Sequence, residues 1–239
     1  MTYTVIGRCA RTNQIGIGVA TYSVACGSFT QGAQSAHGIA MTQANVRKGN
    51  SPLANALLAQ GHSHRAVLQA LIDDDAHAGY RQIGIMDRSG NVSAYTGDKV
   101  RPWCGERFGP NYLVHGNGLA GEHVIAAMEE SFLETADQPL EERLIHTLES
   151  GRDAGGQGFN SPKKAERSAC IVVVDGRNYA DWDLRVDLHD TAIEELRRVY
   201  EFFKPYQPFY NERDDDPSRC LAQDAWERAN LPAGRLAPR

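Results

Sequence analysis

The run Ile15-Gly16-Ile17-Gly18-Val19-Ala20 constrains the fold more than any other stretch of this chain. Read as a strand, it puts Ile15, Ile17 and Val19 on one face and only Gly16, Gly18 and Ala20 on the other. The β-branched face is a core face, whereas the bare face lets a bulky neighbour approach the backbone closely. Packed helices or a substrate would both serve. Upstream, Thr2-Tyr3-Thr4-Val5-Ile6 places Thr2, Thr4 and Ile6 on one face, and Arg11-Thr12-Asn13-Gln14 supplies turn chemistry between the two runs. A hairpin that opens the chain is therefore predicted.

The remaining pattern extends this start. A third strand, Gly38-Ile39-Ala40-Met41-Thr42-Gln43, runs into a polar loop over 44–50. Ser51-Pro52 reads as an N-cap with proline at the first helical position, Leu53, Leu57 and Leu58 keep helical spacing, and Gly61 is the stop. A second helix over 63–74 turns Val67, Leu68, Leu71 and Ile72 inward. Residues 80–87 and 92–97 form a second hairpin around Arg88-Ser89-Gly90-Asn91, and 111–117 add a strand. Helices are predicted over 121–135 and 139–150, then a glycine- and charge-rich surface loop over 151–164. A buried strand at 169–175, a shorter polar strand at 183–187 and a helix at 190–203 complete a domain drawn at 1–203. Residues 204–239 are expected to be a tail packing on the domain or on a partner subunit, with an amphipathic piece over 221–229. This order suits helices packed outside two facing sheets.

A chain of 239 residues buries a sizeable core as one domain. Its formal net charge of -5 argues against nucleic acid or an anionic membrane as the main partner. With no bilayer-length apolar stretch and no secretory leader pattern, a cytoplasmic protein is expected. Five cysteines without a C-x-x-C pair describe neither a disulfide framework nor a structural zinc site. His62 and His64 lie two apart and face different ways, and Asp73-Asp74-Asp75 and Asp214-Asp215-Asp216 lack the glycine and glutamate of a calcium loop. There is no P-loop or dinucleotide fingerprint, so no cofactor and no metal are expected.

Chemistry centres on Thr2. Removal of Met1 would leave a threonine with a free amine, joining a hydroxyl nucleophile to an α-amino base whose ordinary pKa is roughly 7.7–8.0. By itself Met-Thr is an ordinary beginning.

Several segments together carry a resemblance: Thr2-Tyr3-Thr4-Val5-Ile6, Ile15-Gly16-Ile17-Gly18-Val19-Ala20, Thr42-Gln43-Ala44-Asn45, Arg81-Gln82-Ile83-Gly84-Ile85-Met86-Asp87, Gly116-Asn117-Gly118-Leu119-Ala120-Gly121, Ala154-Gly155-Gly156 and Asp183-Leu184-Arg185-Val186-Asp187. In this order, from Thr2 to about Phe203, they resemble the uncharacterised family known as domain of unknown function 1028, which groups by fold with the N-terminal-nucleophile hydrolases. The resemblance implies an α+β fold, a four-layer αββα sandwich of that type, and makes Thr2 the leading catalytic candidate. It supplies only amide-bond hydrolysis as a reaction class. Two departures stand out. The tail is too short and too different to be the helical extension that family members often carry, and His115-Gly116-Asn117 replaces their usual Gln-Gly-Asn, which would alter a pocket contact.

With Thr2 as nucleophile, the side-chain amides of Gln43, Asn45 and Asn117, or backbone N–H groups near Gly27 and in the 43–45 loop, are candidates for substrate binding or an oxyanion hole. Arg81 and Gln82 cannot both face the core. Arg81 is the better carboxylate ligand, unless it pairs with Asp183 or Asp187. Asp183, Arg185 and Asp187 share one strand face as a self-neutralising charge network. A cation that favours deprotonation of the threonine would come from Lys48, Arg8 or Arg47. The expected function is hydrolysis of an amide in a small or peptide-like substrate by a homo-oligomer. The alternatives are a non-catalytic binding or structural protein on the same fold and an acyltransferase using the same site.

Overall fold

The opening hairpin forms as β1 (Thr2–Arg8) and β2 (Ile15–Thr21), with Thr2 opposite Thr21 and Ile6 opposite Ile17. A computed structural model describes residues 1–30, 36–160, 162–177 and 179–232 of a mixed α+β chain with antiparallel sheets. Residue 161 of the expected surface loop and residues 233–239 of the expected tail lie outside the described residues.

On one flank β1 pairs with β7 (Tyr112–Asn117), which pairs with β6 (Cys104–Gly109); on the other, β2 pairs with β8 (Ser168–Val174), which pairs with β9 (Trp182–Val186). The six-stranded order is β6-β7-β1-β2-β8-β9. A second sheet joins β3 (Gly38–Ala44), β4 (Arg81–Asp87) and β5 (Val92–Thr96) in that order.

The alternation of the opening strands decides what each face meets. Ile6, Ile15, Ile17 and Val19 form one apolar cluster with Ile39, Met41 and Met86 of the smaller sheet, so the two sheets face each other. Burying each such side chain is worth about 1.5–3 kcal/mol. The opposite, bare face of β2 is filled by helix. A Cβ on Gly16 would lie 2.9 Å from Leu144, and one on Gly18 3.3 Å from Leu148, both from α4 (Leu140–Asp153). Likewise Gly7 of β1 admits Phe132 of α3 (Glu122–Glu134). Of the two occupants compatible with the sequence, packed helices take this face. Ala40, Ile83 and Ile85 turn away from the seam and pack on Ala54 and Leu58 of α1 (Asn50–Ala59) and on Val67 and Leu71 of α2 (His64–Asp73).

Strand β6 is not evident in the sequence pattern. It is a half-exposed edge strand carrying Glu106 and Arg107, and charge at an edge blurs the alternation that marks a strand. Arg107 also ties it to Glu122 and Glu129 of α3, at 2.8 and 3.0 Å. Helix α4 runs to Asp153, into the segment expected as loop.

The chain divides into two compact units, Met1–Leu196 and Arg197–Arg239, with α5 (Ala192–Phe203) carrying the boundary. In the second unit the expected tail is largely helical, as α6 (Gln207–Asp215) and α7 (Gln223–Asn230). Pro208 fits because it falls in the first turn of α6, where its missing N–H is not needed. Phe209 stacks on Trp226 with ring centroids 4.7 Å apart, and Tyr206 on Tyr210 at 6.1 Å. Among the described residues no helix is long and apolar enough to cross a membrane.

Gly7→Ala puts a methyl group 2.5 Å from the Phe132 ring and is expected to cost about 1–3 kcal/mol in urea unfolding through overpacking. Gly49→Ala, with no atom within 4 Å of the added carbon, is expected to stay within about 0.5 kcal/mol of the parent.

Candidate active site

Thr2 begins β1, half-buried, between Asn117 of β7 and Thr21 of β2. Its Oγ1 lies 3.0 Å from Thr21 Oγ1. Thr21 Oγ1 donates to the Met1 carbonyl at 2.7 Å and accepts from the Ser23 N–H at 3.1 Å. A hydroxyl has a single proton, so Thr2 must be the donor in the bond between the two threonines. Next in the row is Ser168, opposite Thr21. Its hydroxyl donates to the Ser23 carbonyl at 2.8 Å and accepts from the Cys26 N–H at 3.1 Å, so Thr21 and Ser168 together hold the segment after β2.

The Met1 side chain lies against Gly118, where a Cβ would collide with it, and Gly118 has a φ of 63°. The Gly118 N–H donates to the Arg101 carbonyl at 3.0 Å. Burial first, and then the charge of Arg101, lower the pKa of the Met1 α-amine. Arg101 is the cation of this corner. Of the cations considered from sequence, Arg8 is at the other end of β1, donating to Asn13 and Asn111, and Arg47 is engaged by Asp74 at 2.8 Å. No spacing in the sequence marks Arg101, because only the pairing of β7 with β1 carries its neighbour Gly118 to Met1.

Behind Thr2 a buried polar network spans the seam between the sheets. Thr4 donates to Gln43 Oε1 at 2.6 Å, and Gln43 Nε2 donates to Gln82 Oε1 at 2.8 Å. Asn117 Nδ2 donates to the same oxygen at 3.2 Å. Gln82 Nε2 in turn reaches the Gly116 carbonyl at 3.0 Å and Thr96 Oγ1 at 2.9 Å. The amides of Gln43 and Asn117, offered by the sequence for substrate or oxyanion, both donate to Gln82.

Arg81 and Gln82 divide as strand alternation demands, but Gln82 takes the inner place. Arg81 turns outward, with Nε 2.8 Å from Asp75 and a guanidinium N–H donating to the Asn45 carbonyl at 2.8 Å. Its partner is therefore Asp75, not Asp183 or Asp187. The Arg81 guanidinium holds the Asp75 carboxyl below its usual pKa. Asp75 is buried, unlike the solvated acidic run expected there.

Asp183 grips Arg185 with both oxygens, at 2.6 and 2.7 Å. The Arg185 stem runs under Gly27, and the Asp187 carbonyl accepts from the Ala25 N–H at 2.8 Å. β9 is three strands from β1, about 14 Å at the ordinary strand spacing. This network braces the segment after β2 and stays apart from Thr2. His115 lies in the seam beside Gly84, fully buried, with neither ring nitrogen bonded, and burial pushes its pKa down to about 3. Among the described residues no group of three or more His, Cys, Asp and Glu side chains is placed to hold a metal ion.

The chain matches a family model described as a family of unknown function, DUF1028, over residues 2–196. It is similar to a crystal structure of a Silicibacter pomeroyi protein of that family, with a TM-score of 0.74 and 23% identity, covering 85% of this chain and 89% of the other. A looser likeness is to Anbu, the ancestral beta-subunit, from Yersinia bercovieri, with a TM-score of 0.38 and 13% identity over 83% of this chain and 93% of that one. No curated protein matches the chain.

Gln82→Leu leaves the Gly116 carbonyl and the Gln43 and Asn117 amides without this partner in a buried seam. At about 1–3 kcal/mol for each stranded group, unfolding free energy should fall by about 3 kcal/mol or more in a denaturant titration. His115 gives a pH signature. Its folded pKa is depressed, so the stability of the neutral form is complete above about 6.5 and declines as the unfolded chain takes up the proton below that value. Between pH 7 and pH 5 the parent should lose about 2 kcal/mol more than His115→Phe, measured by urea unfolding at both values.

Proposed function

The chain belongs to the family of unknown function DUF1028, and for this member we propose an amide hydrolase of the N-terminal-nucleophile type, working from Thr2 after loss of Met1. The arrangement that supports the fold assignment is helix, sheet, sheet, helix: α1 and α2 on the small sheet, α3 and α4 on the large one, with the two sheets face to face. We read it as a four-layer αββα sandwich. The observation that carries the function is the setting of Thr2 at the start of β1, its hydroxyl hydrogen-bonded to Thr21 at 3.0 Å between the paired strands β2 and β7.

In this reading the neutral Thr2 amine takes the Oγ proton as Oγ attacks the substrate carbonyl carbon, and the carbonyl pair moves to oxygen. Collapse of the adduct breaks the C–N bond, the leaving nitrogen receives the proton from the Thr2 ammonium, and an ester remains on Oγ. Water, giving its proton to the same amine, attacks the ester, and Oγ departs with that proton. The network from Gln43 and Asn117 through Gln82 fixes the strands that carry Thr2, Arg81 holds the Asn45 loop, and Asp183, Arg185 and Asp187 steady the segment beyond β2. The present seating of Met1 favours a second reading, a binding protein that keeps Met1 and never exposes the amine.

The two readings separate with a β-lactone, which esterifies an activated threonine. Met1-free protein, verified by intact mass, is expected to gain one adduct on Thr2. Thr2→Ser should keep labelling, whereas Thr2→Ala and a form extended at the N-terminus should not label. The rate should rise with pH as the Thr2 ammonium loses its proton, with a midpoint within about a unit of the ordinary 7.7–8.0 of an α-amine. Equal labelling of extended and Met1-free protein would sink the mechanism.

A further inference from the structure

A nucleophile that attacks a carbonyl needs a donor for the oxygen that becomes negative. The side-chain amides of Gln43 and Asn117 are committed elsewhere, turned into the seam toward Gln82, and the Asn45 backbone N–H donates to the Tyr80 carbonyl. One donor in the structure already points at a carbonyl oxygen next to Thr2 Oγ. It is the Thr21 hydroxyl, 2.7 Å from the Met1 carbonyl oxygen and 3.0 Å from the nucleophile.

Resting on the reading of Thr2 as nucleophile, we propose that the Thr21 hydroxyl is the oxyanion donor of this site, its proton freed by the loss of Met1. Three features argue for it. Thr21 is held by strand pairing on both flanks, opposite Thr2 and opposite Ser168, so its position does not depend on Met1. The Ser23 N–H fills one of its lone pairs, so once Thr2 Oγ has given its own proton to the amine, the Thr21 proton is the one left to reach the oxygen of the attacked carbonyl. When Met1 is lost, that proton loses its acceptor while the oxygen keeps the Ser23 bond. Thr21 Oγ1 then stands 3.0 Å from the nucleophile with its proton unclaimed, within reach of the oxygen of a carbonyl that Oγ attacks. In the acylation step Oγ gains the carbonyl carbon, the oxygen takes the π pair and the hydrogen bond from Thr21, and the pair returns to re-form the carbonyl as the leaving group departs.

The test uses Met1-free protein and the same β-lactone, with the acylation rate read by intact mass over a range of lactone concentrations. Thr21→Val keeps the β-branched shape and removes the hydroxyl, and should lower the maximal rate by about 100- to 1000-fold, the usual effect of losing one oxyanion donor. The half-saturating concentration should hardly change, because the bond strengthens only as charge develops. Thr21→Ser should restore most of the rate, and the pH midpoint set by the amine should be the same in all three proteins. Labelling of Thr21→Val at the parental rate, or a Thr21→Ser protein as slow as Thr21→Val, would overturn the assignment while leaving Thr2 as nucleophile. If the parent itself gains no adduct on Thr2, the nucleophile falls and the donor with it. Should Thr21→Val lose its cooperative melt, Thr21→Ala is judged by the same outcomes.

Discussion

Two sheets that meet through hydrocarbon have little to stop one sliding over the other, since dispersion and area burial are nearly blind to small shifts. The carboxamide of Gln82 removes that freedom. It is anchored in β4 and bonded to Gln43 of β3, Asn117 and Gly116 of β7 and Thr96 of β5, so one planar group fixes four strands from both sheets. Through Gln43 it also reaches Thr4 of β1. The reach of each bond is set by direction as well as distance, and a register error of one residue would turn every partner to the wrong face. The placement of Thr2 two residues before Thr4 follows from that lock.

The chemistry proposed for the amino end is economical in residue types. There is no histidine base in it, and the one histidine of the seam, His115, is kept neutral by burial. Base, nucleophile and oxyanion donor come from one amine and two hydroxyls, arranged by the pairing of two neighbouring strands. Hydroxyls cost little to desolvate compared with charges, which suits a row that lies beside a tightly packed seam.

The sequence conveys the fold better than the site. Alternation in β1, β2, β3 and β4 is clean because each of these strands has two well-defined environments, and the glycines of β2 announce a close neighbour, which is α4. β6 escapes notice because its edge position permits charge, and the helices after residue 206 because proline and aromatic residues mask a helical pattern that proline at the first turn allows. At the site, the pairing of Asp75 with Arg81 was hidden inside an acidic run that reads as solvated. Gln82 is masked by its charged neighbour, since a sequence shows that two adjacent residues take opposite faces but not which of them goes inward. Thr21 and Arg101 carry no local signal, as both depend on pairing between distant segments.

The seating of Met1 also sets an order of events in the life of the chain. Its side chain rests on Gly118, its carbonyl is bonded to Thr21, and the residue is half-buried. Once β1 is zipped between β2 and β7, the Met1–Thr2 peptide bond is tied into the corner of the sheet. Gly118 and its strand are made more than a hundred residues after Met1, so the niche does not exist while the chain is short. Under the proposal that Met1 is removed, trimming and folding are in kinetic competition. A molecule that closes its sheet before it is trimmed is committed to the capped form for as long as it stays folded, and the two populations would differ in chemistry while sharing one fold.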